Sequence, residues 1–387
     1  MGNSLMATYN RIPIAMTKGE GSYVWGADGA KYLDFCVGIA TCSLGHVPPY
    51  VKERVEKQLN MLWHCSNLYE IPIQEELADM LTANSCFDKV FFCNSGAEAN
   101  EGALKLARKY GKEAKGPDCY EVVTFTQSFH GRTMATLAAT GQEKIQKGFE
   151  PLMPGFRYLP YNDIDALDSV NTAKTCAVLL EVIQGEGGVN TADDQWLKAV
   201  ETLCRDNGIL LMVDEVQTGV GRTGSLFAYQ QSGIEPDVMT LAKGLGSGFP
   251  IGALLASDKT AAVFGPGTHG STFGGNPLAC SAALATLQFM LETNIPQQAE
   301  KLGKYLAESL TGLQARYPQI QEVRGRGLLC GFVIPEQAAA VMEKARGQGV
   351  LVLMAGPDVV RILPPLTCTK EEIDHCIRVL DASLAAL

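Results

Sequence analysis

The sequence predicts an α/β protein with a mostly parallel sheet and a smaller α+β domain. From about residue 70, helical stretches alternate with short, nearly uninterrupted apolar runs. Strands of this kind are buried on both faces, as in a parallel sheet covered by helices. After about residue 290 the pattern changes to a long amphipathic helix, a glycine-rich strand region and two further helices. One large domain followed by a small one explains both patterns.

The N-terminal region reads as a strand meander over residues 19–35, with a turn at Ala27-Asp28-Gly29. Residues 48–63 have helical spacing, and Pro49 suits the first turn of a helix. The apolar strand candidates that follow are Lys89–Phe92, Tyr120–Phe125, Ala177–Leu180, Ile209–Val213 and Val238–Leu241.

The C-terminal region predicts helices over 297–317, 335–347 and 370–387, with short strands between them. We expect residues 1–55 to form the N-terminal part of a small α+β domain. Residues 56–288 would form the large domain, and residues 289–387 would complete the small one.

Composition excludes several classes of protein. The net charge of −10, without a run of Lys or Arg, argues against nucleic-acid binding. None of the twelve cysteines forms Cys-x-x-Cys, so a zinc ribbon or redox pair is not expected, and no metal site is predicted. No signal peptide is recognisable, and no apolar run approaches the ~18 residues of a membrane span. We expect a cytoplasmic protein that does not contact membranes.

Lys243 is the most informative residue, because it lies in an apolar, glycine-bounded turn, Thr240 to Gly246. Asp214 ends the apolar run that precedes this turn. A lysine can form a Schiff base with an aldehyde, and a carboxylate can keep a pyridine nitrogen protonated. The pair therefore indicates pyridoxal phosphate. The alternatives are an exposed lysine and a Walker B aspartate, but the chain lacks a phosphate-loop motif.

Two motifs follow earlier strands. The stretch Asn94 to Asn100 opens a helix, where free N–H groups can bind phosphate; an ordinary N-cap is the alternative. In the stretch Ser128 to Thr133, Phe129 can stack on a heterocycle, and Arg132 can bind a carboxylate through two hydrogen bonds. A core phenylalanine and a surface arginine would explain the second motif equally well.

Three further segments carry polar groups. Glu181 and Glu186 follow a strand, where open α/β sheets bind ligands, although solvated loop acids are the alternative. Ser271 and Thr272 can reach a phosphate or can form a turn before a helix. Arg361, on a late strand, would suit a substrate with two carboxylates.

The chain resembles the class III aminotransferases of the pyridoxal-phosphate fold type I superfamily. The resemblance rests on Phe-His-Gly-Arg-Thr at 129–133, Asp-Glu-Val-Gln-Thr-Gly at 214–219 and Thr-Phe-Gly-Gly-Asn-Pro at 272–277. It extends over essentially the whole chain and is closest to the acetylornithine aminotransferases of arginine biosynthesis. It implies a large domain with a mostly parallel seven-stranded sheet. It also implies a small domain built from both chain ends, and a homodimer with active sites at the subunit interface.

The resemblance also implies cofactor contacts by Ser95, Gly96, Ala97, Phe129, Asp214, Gln217, Lys243 and Thr272. Lys243 would form the Schiff base with pyridoxal 5'-phosphate and move the proton, and Asp214 would pair with the ring nitrogen. The first three residues would hold the phosphate, the phenylalanine would stack on the ring, and the glutamine would reach the ring hydroxyl. Thr272 would reach the phosphate in the neighbouring subunit.

For the substrates, the resemblance implies that Arg132 binds a carboxylate, with Ser271 nearby. Arg361 would bind the α-carboxylate of glutamate or 2-oxoglutarate. Glu186 would act as a gate acid that pairs with this arginine when the amine donor lacks a carboxylate at that end. The implied reaction transfers the terminal amino group of N2-acetylornithine to 2-oxoglutarate.

Other donors remain open at this point: ornithine, succinylornithine, succinyldiaminopimelate and 4-aminobutyrate. A pyridoxal-phosphate aminomutase and an inactive relative are further alternatives. The chain departs from the family pattern at Ala97, where threonine is common, and at Val182, where proline is usual. Thr41-Cys42 replaces the Val-Asn of acetylornithine enzymes at the expected substrate entrance.

Overall fold

A computed structural model describes residues 4–387. The strands are β1 (Met16–Glu20), β2 (Tyr23–Gly26), β3 (Lys31–Asp34), β4 (Lys89–Cys93), β5 (Glu121–Phe125), β6 (Phe156–Leu159), β7 (Thr175–Leu180), β8 (Ile183–Gln184), β9 (Asn190–Thr191), β10 (Leu210–Asp214), β11 (Val238–Leu241), β12 (Gly252–Ala256), β13 (Glu322–Arg326), β14 (Leu329–Val333), β15 (Val350–Leu351), β16 (Leu353–Ala355) and β17 (Val359–Ile362).

The helices begin with α1, a single irregular turn. They are α1 (Val37–Ala40), α2 (Pro49–Leu59), α3 (Pro72–Ala83), α4 (Gly96–Lys115), α5 (Met134–Ala139), α6 (Glu143–Gln146), α7 (Asp194–Asn207), α8 (Tyr229–Ser232), α9 (Asp258–Ala261), α10 (Pro277–Glu292), α11 (Ile295–Arg316), α12 (Ala338–Gly347) and α13 (Lys370–Ala385).

The large sheet confirms the predicted architecture. Its seven strands lie in the order β4-β12-β11-β10-β7-β5-β6, and only β12 runs antiparallel to its neighbours. All five strand candidates are present. The sequence pattern missed β6, a half-exposed edge strand, and β12, whose Gly-Ala-Leu-Leu-Ala lacks the β-branched and aromatic residues that mark strands. The parallel strands end at one edge, so the loops that follow them converge there.

The two ends of the chain meet in smaller sheets. The meander β1-β2-β3 continues into β15 through parallel pairing of Leu33 with Val350. Strands β13, β14, β17 and β16 form a separate antiparallel sheet. The pairing of β3 with β15 is what a small domain shared by both chain ends predicts. The domain boundaries proposed at residues 55 and 288 stay a prediction. Residues 1–3 of the N-terminal segment lie outside the described part.

Helix positions agree with the sequence pattern except at two ends. The predicted helix over 335–347 begins only at Ala338, because Glu336 adopts a φ of 62°, which interrupts a right-handed helix. The helix predicted over 48–63 ends at Leu59.

All twelve cysteines are free thiols. Between residues 4 and 387, no helix is long and apolar enough to cross a bilayer.

Helix α11 packs closely on the turn between β13 and β14. A Cβ atom at Gly303 would stand 2.2 Å from the carbonyl oxygen of Gly327, whereas a Cβ at Gly312 of the same helix would meet nothing within 4 Å. Backbone cannot move aside as a flexible side chain can. The contact therefore fixes the distance between this helix and the turn.

We expect Gly303→Ala to lower the free energy of unfolding by about 1–3 kcal/mol, because the added methyl group overpacks the contact. Gly312→Ala is the matched control and should raise stability by about 0.5–1 kcal/mol, since alanine replaces glycine at an open helical position. Scanning calorimetry of both variants tests this. Equal melting temperatures for the two variants would contradict the packing argument.

Candidate active site

A cavity of about 450 Å³ opens where the parallel strands end. Most residues that the sequence singled out line it, although they come from distant parts of the chain. These are Ser95, Gly96, Ala97, Phe129, Arg132, Glu186, Asp214, Gln217 and Lys243.

Lys243 follows β11 and begins a short 3₁₀ turn, with a φ of 40°. Non-glycine residues seldom adopt this left-handed conformation, and strained residues of this kind cluster at functional sites. Burial lowers the pKa of the Lys243 amine, and Glu186 opposes this shift. The structure therefore places a half-buried lysine, whose amine has a lowered pKa, within electrostatic range of Glu186.

Asp214, at the end of β10, is buried and held by several partners. Its Oδ2 accepts a hydrogen bond from Asn100 Nδ2 at 2.8 Å and lies 2.8 Å from His130 Nδ1. Its Oδ1 accepts the Val216 N–H at 3.0 Å. The Thr240 hydroxyl donates in turn to the side-chain oxygen Oδ1 of Asn100 at 2.7 Å. The carboxylate therefore has one fixed orientation toward the cavity.

Asn100 and His130 received no role from the sequence. Both stood inside the motifs that were singled out, at the end of Asn94–Asn100 and beside Phe129. What the sequence could not show is that α4 and the loop after β5 meet at Asp214, because that contact joins residues 114 positions apart.

The N-terminus of α4 forms one part of the cavity wall. Ser95 is its N-cap, and its hydroxyl accepts the Glu98 N–H at 3.2 Å. The Gly96 and Ala97 N–H groups lie in the first turn, where a helix offers them no carbonyl partner. A Cβ atom at Gly96 would stand 2.8 Å from a methyl group of Val216. The structure confirms the N-cap at Ser95, and the same helix N-terminus leaves N–H groups free for an anion, so phosphate binding here stays a prediction.

Phe129 is oriented by Glu181, which the sequence left without a role. Glu181 Oε1 accepts the Phe129 N–H at 2.9 Å, and its Oε2 accepts the Gly185 N–H at 3.2 Å. Burial raises the pKa of Glu181 to about 7.

The Arg132 guanidinium lies 5.6 Å from the Phe129 ring centre and is exposed at the mouth of the cavity.

Arg361 and Glu186 form the ion pair that the family resemblance implies. Arg361 on β17 is 1% exposed, and its Nη1 lies 2.7 Å from Glu186 Oε1. Burial alone would raise the pKa of Glu186, but Arg361 and Lys243 lower it below its ordinary value. Gln217 contacts both partners, at 2.9 Å from Arg361 Nη1 and 3.0 Å from Glu186 Oε1.

Ser271 and Thr272 do not reach the Lys243 cavity of their own chain. They line a second cavity of about 930 Å³ together with His64 and Asn67. Ser271 Oγ accepts hydrogen bonds from Asn94 Nδ2 at 3.2 Å and from the Gly274 N–H at 2.9 Å. Their predicted contacts with cofactor and substrate therefore stay a prediction that needs a second subunit.

The chain is similar to known aminotransferases over almost its whole length. The family model described as aminotransferase class III matches residues 5–384. An acetylornithine aminotransferase from Oceanobacillus iheyensis is 57% identical over 380 residues, which cover 98% of this chain and 95% of that protein. The acetylornithine aminotransferase of Bacillus subtilis is 47% identical over 384 residues, 99% of this chain and 98% of that protein.

Solved structures are similar over the same length. An ornithine aminotransferase from Toxoplasma gondii superposes with a TM-score of 0.95 at 34% identity, covering 99% of this chain and 93% of that one. An N-acetylornithine aminotransferase from Stenotrophomonas maltophilia gives a TM-score of 0.86 at 39% identity, covering 98% and 97%.

Glu215, beside Asp214, provides a test of charge burial at this site. Its carboxylate accepts the Ala228 and Tyr229 N–H groups at 2.9 and 2.8 Å, and burial raises its pKa from 4.5 to about 7. The folded state therefore binds this proton more tightly than the unfolded state. The resulting stability is present below pH 4.5 and is lost as the pH rises through about 7.

We expect the melting temperature of Glu215→Gln, relative to the parent protein, to rise between pH 5 and pH 8. The glutamine has no charge to bury, and the change amounts to roughly 3 kcal/mol at most. Glu56→Gln at an exposed position controls for the loss of one negative charge. A relative melting temperature that falls with pH would show that Glu215 is more stable as the buried anion.

Proposed function

Because the chain belongs to the class III aminotransferase family, we propose that it transfers the terminal amino group of N2-acetylornithine to 2-oxoglutarate. The products are N-acetylglutamate 5-semialdehyde and glutamate. The observation that carries the proposal is the Arg361–Glu186 pair near the half-buried Lys243, since it provides for substrates with and without a carboxylate on the carbon that bears the reacting amine. Identities of 57% and 47% to acetylornithine aminotransferases over nearly the whole chain support the choice of donor.

Enzymes of this class use pyridoxal 5'-phosphate, and the residues of the cavity fit this group. The N–H groups of Gly96 and Ala97 would hold its phosphate, and Phe129 would pack on its ring. Asp214, fixed by its partners, would hold a proton on the ring nitrogen. Gln217 would reach the ring hydroxyl. When bound, the cofactor supplies an electron sink for the carbon that carries the amino group.

Lys243 has two tasks in this proposal. Its Nζ attaches the cofactor, and it then takes and returns the proton of the reacting substrate carbon. Burial lowers the pKa of this amine, so that more of it is unprotonated and able to accept a proton. The negative charge of Glu186 opposes this lowering of the pKa.

The Arg361–Glu186 pair, here called the gate, explains how one cavity would serve two substrates. With N2-acetylornithine the reacting amine sits on a methylene group, and Glu186 neutralises the arginine. With glutamate, the α-carboxylate displaces Glu186 and binds Arg361. Arg132 at the mouth binds the other carboxylate. The difference in contacts, rather than tight binding as such, selects each substrate in its turn.

We also propose a cytoplasmic homodimer with two shared active sites. Residues 61–69 expose large apolar side chains, with Trp63 at 62% and Leu68 at 90%. They adjoin the loop of Thr272, since Asn67 Nδ2 donates to Ser271 O at 3.1 Å. Several large apolar side chains exposed within one short segment are typical of an interface. A partner covering this face would bring Thr272 to the phosphate of the other subunit.

The choice of amine is tested with a panel of ω-amines added to the purified enzyme, following the cofactor absorbance in single half-reactions. We expect N2-acetylornithine to react faster than ornithine, succinylornithine, succinyldiaminopimelate and 4-aminobutyrate. Glutamate should react as the second substrate. Lys243→Ala is the control and should lose at least about a thousandfold in rate, because it removes the nucleophile and the proton carrier. A faster reaction with another donor would reassign the substrate.

Shared sites are tested with a heterodimer that carries Lys243→Ala in one subunit and Thr272→Ala in the other. If Thr272 serves the neighbouring subunit, this heterodimer keeps one complete site and half of the parent activity and cofactor capacity. If Thr272 acts in its own chain, neither site is complete. Differential affinity tags isolate the heterodimer, and the two homodimeric variants provide the baselines.

A further inference from the structure

Gln217 takes part in the gate as directly as Glu186 and Arg361 do. Its side-chain carbonyl oxygen accepts a hydrogen bond from Arg361 Nη1 at 2.9 Å. Its amide nitrogen donates to Glu186 Oε1 at 3.0 Å. Since Arg361 Nη1 also lies 2.7 Å from Glu186 Oε1, the three side chains form a closed triangle.

The Gln217 amide has little freedom to turn elsewhere. The residue is 7% exposed, and a Cβ atom at Gly185 would stand 2.1 Å from its Oε1. Arg361 Nη1 also donates to the carbonyl oxygen of Gly185 at 2.7 Å, on the same side. The close approach of the Gly185 backbone therefore restricts the Gln217 amide to the position in which it bridges Glu186 and Arg361.

Arg361 keeps hydrogen-bonding capacity for a new partner. Its Nη1 serves three acceptors, on Gly185, Glu186 and Gln217. Within residues 4–387, its Nε is buried without a hydrogen-bond partner. A guanidinium with an unused buried donor can gain a bond when a carboxylate enters.

We infer that Gln217 is a latch that holds the gate closed and thereby sets the preference between amine donors and dicarboxylate substrates. The inference rests on the proposed function. When a substrate carboxylate displaces Glu186, the bond between Gln217 and Arg361 can persist, whereas the bond between Gln217 and Glu186 is lost. Only the closed state gains the second bond, so Gln217 shifts the equilibrium toward that state.

The latch is distinct from the contact of Gln217 with the cofactor ring. A role confined to the ring would affect dicarboxylates in the same way whether or not Glu186 is present. The latch acts only through Glu186 and requires that acid. A double-mutant cycle between positions 217 and 186 separates these roles.

The test is the affinity of the holoenzyme for glutarate, a dicarboxylate that has no amino group to react. Calorimetry at saturating cofactor gives its dissociation constant for the parent enzyme, Gln217→Met, Glu186→Ala and the double variant. We expect Gln217→Met to tighten glutarate binding about tenfold, as loss of one hydrogen bond to a charged group predicts. In the Glu186→Ala background the same change should leave the affinity unaltered.

Equal shifts in both backgrounds, no shift, or weaker binding would each overturn the latch. Gln217→Asn, whose amide is too short to bridge the gate, should reproduce the result while keeping a polar side chain. Circular dichroism and the cofactor content confirm that each variant is folded and loaded. The measurement needs no amine donor, so an error in the proposed donor would leave its outcome unchanged.

Discussion

The structure depends on how it neutralises charges that are kept out of water. Asp214 and Arg361 are buried and Lys243 is half-buried, around the cavity where the parallel strands of the large sheet end. An isolated buried charge is too costly to keep, so each must have a partner of opposite charge or a set of hydrogen bonds. Glu186 compensates Lys243 and Arg361 together, while Asn100, His130 and the Val216 N–H compensate Asp214. The arrangement of loops at this edge follows from that requirement.

These charges come from different parts of the fold. Asp214 and Lys243 follow strands of the large sheet, whereas Arg361 lies on β17 of the separate C-terminal sheet. The Gly356 N–H, also C-terminal, donates to the carbonyl oxygen of Glu186 at 3.0 Å. The gate is therefore built across the boundary between two sheets. The distance between Arg361 and Glu186 therefore depends on how closely the large sheet and the C-terminal sheet approach each other.

Much of the fold and of the candidate site could be predicted from the sequence, because local residue patterns determine those parts. Apolar runs predicted the central strands, and the residues after them predicted Lys243, Asp214 and the N-terminus of α4. The pairing of Glu186 with Arg361 came from a family resemblance rather than from spacing. The roles of Asn100, Glu181 and His130 needed the structure, because each depends on contacts between distant segments. The contacts of Ser271 and Thr272 require the structure of a dimer, since their expected site is formed with a second chain.

The parallel pairing of β3 with β15 has a consequence for how the chain folds during synthesis. Leu33 pairs with Val350, so the N-terminal meander lacks this partner until almost the whole chain has left the ribosome. At about 5–20 residues per second the wait is roughly 15–60 s. Contacts of such long sequence separation also form slowly. The edge of β3 that pairs with β15 is thus unpaired during most of synthesis, and an unpaired strand edge is a template for pairing with other chains.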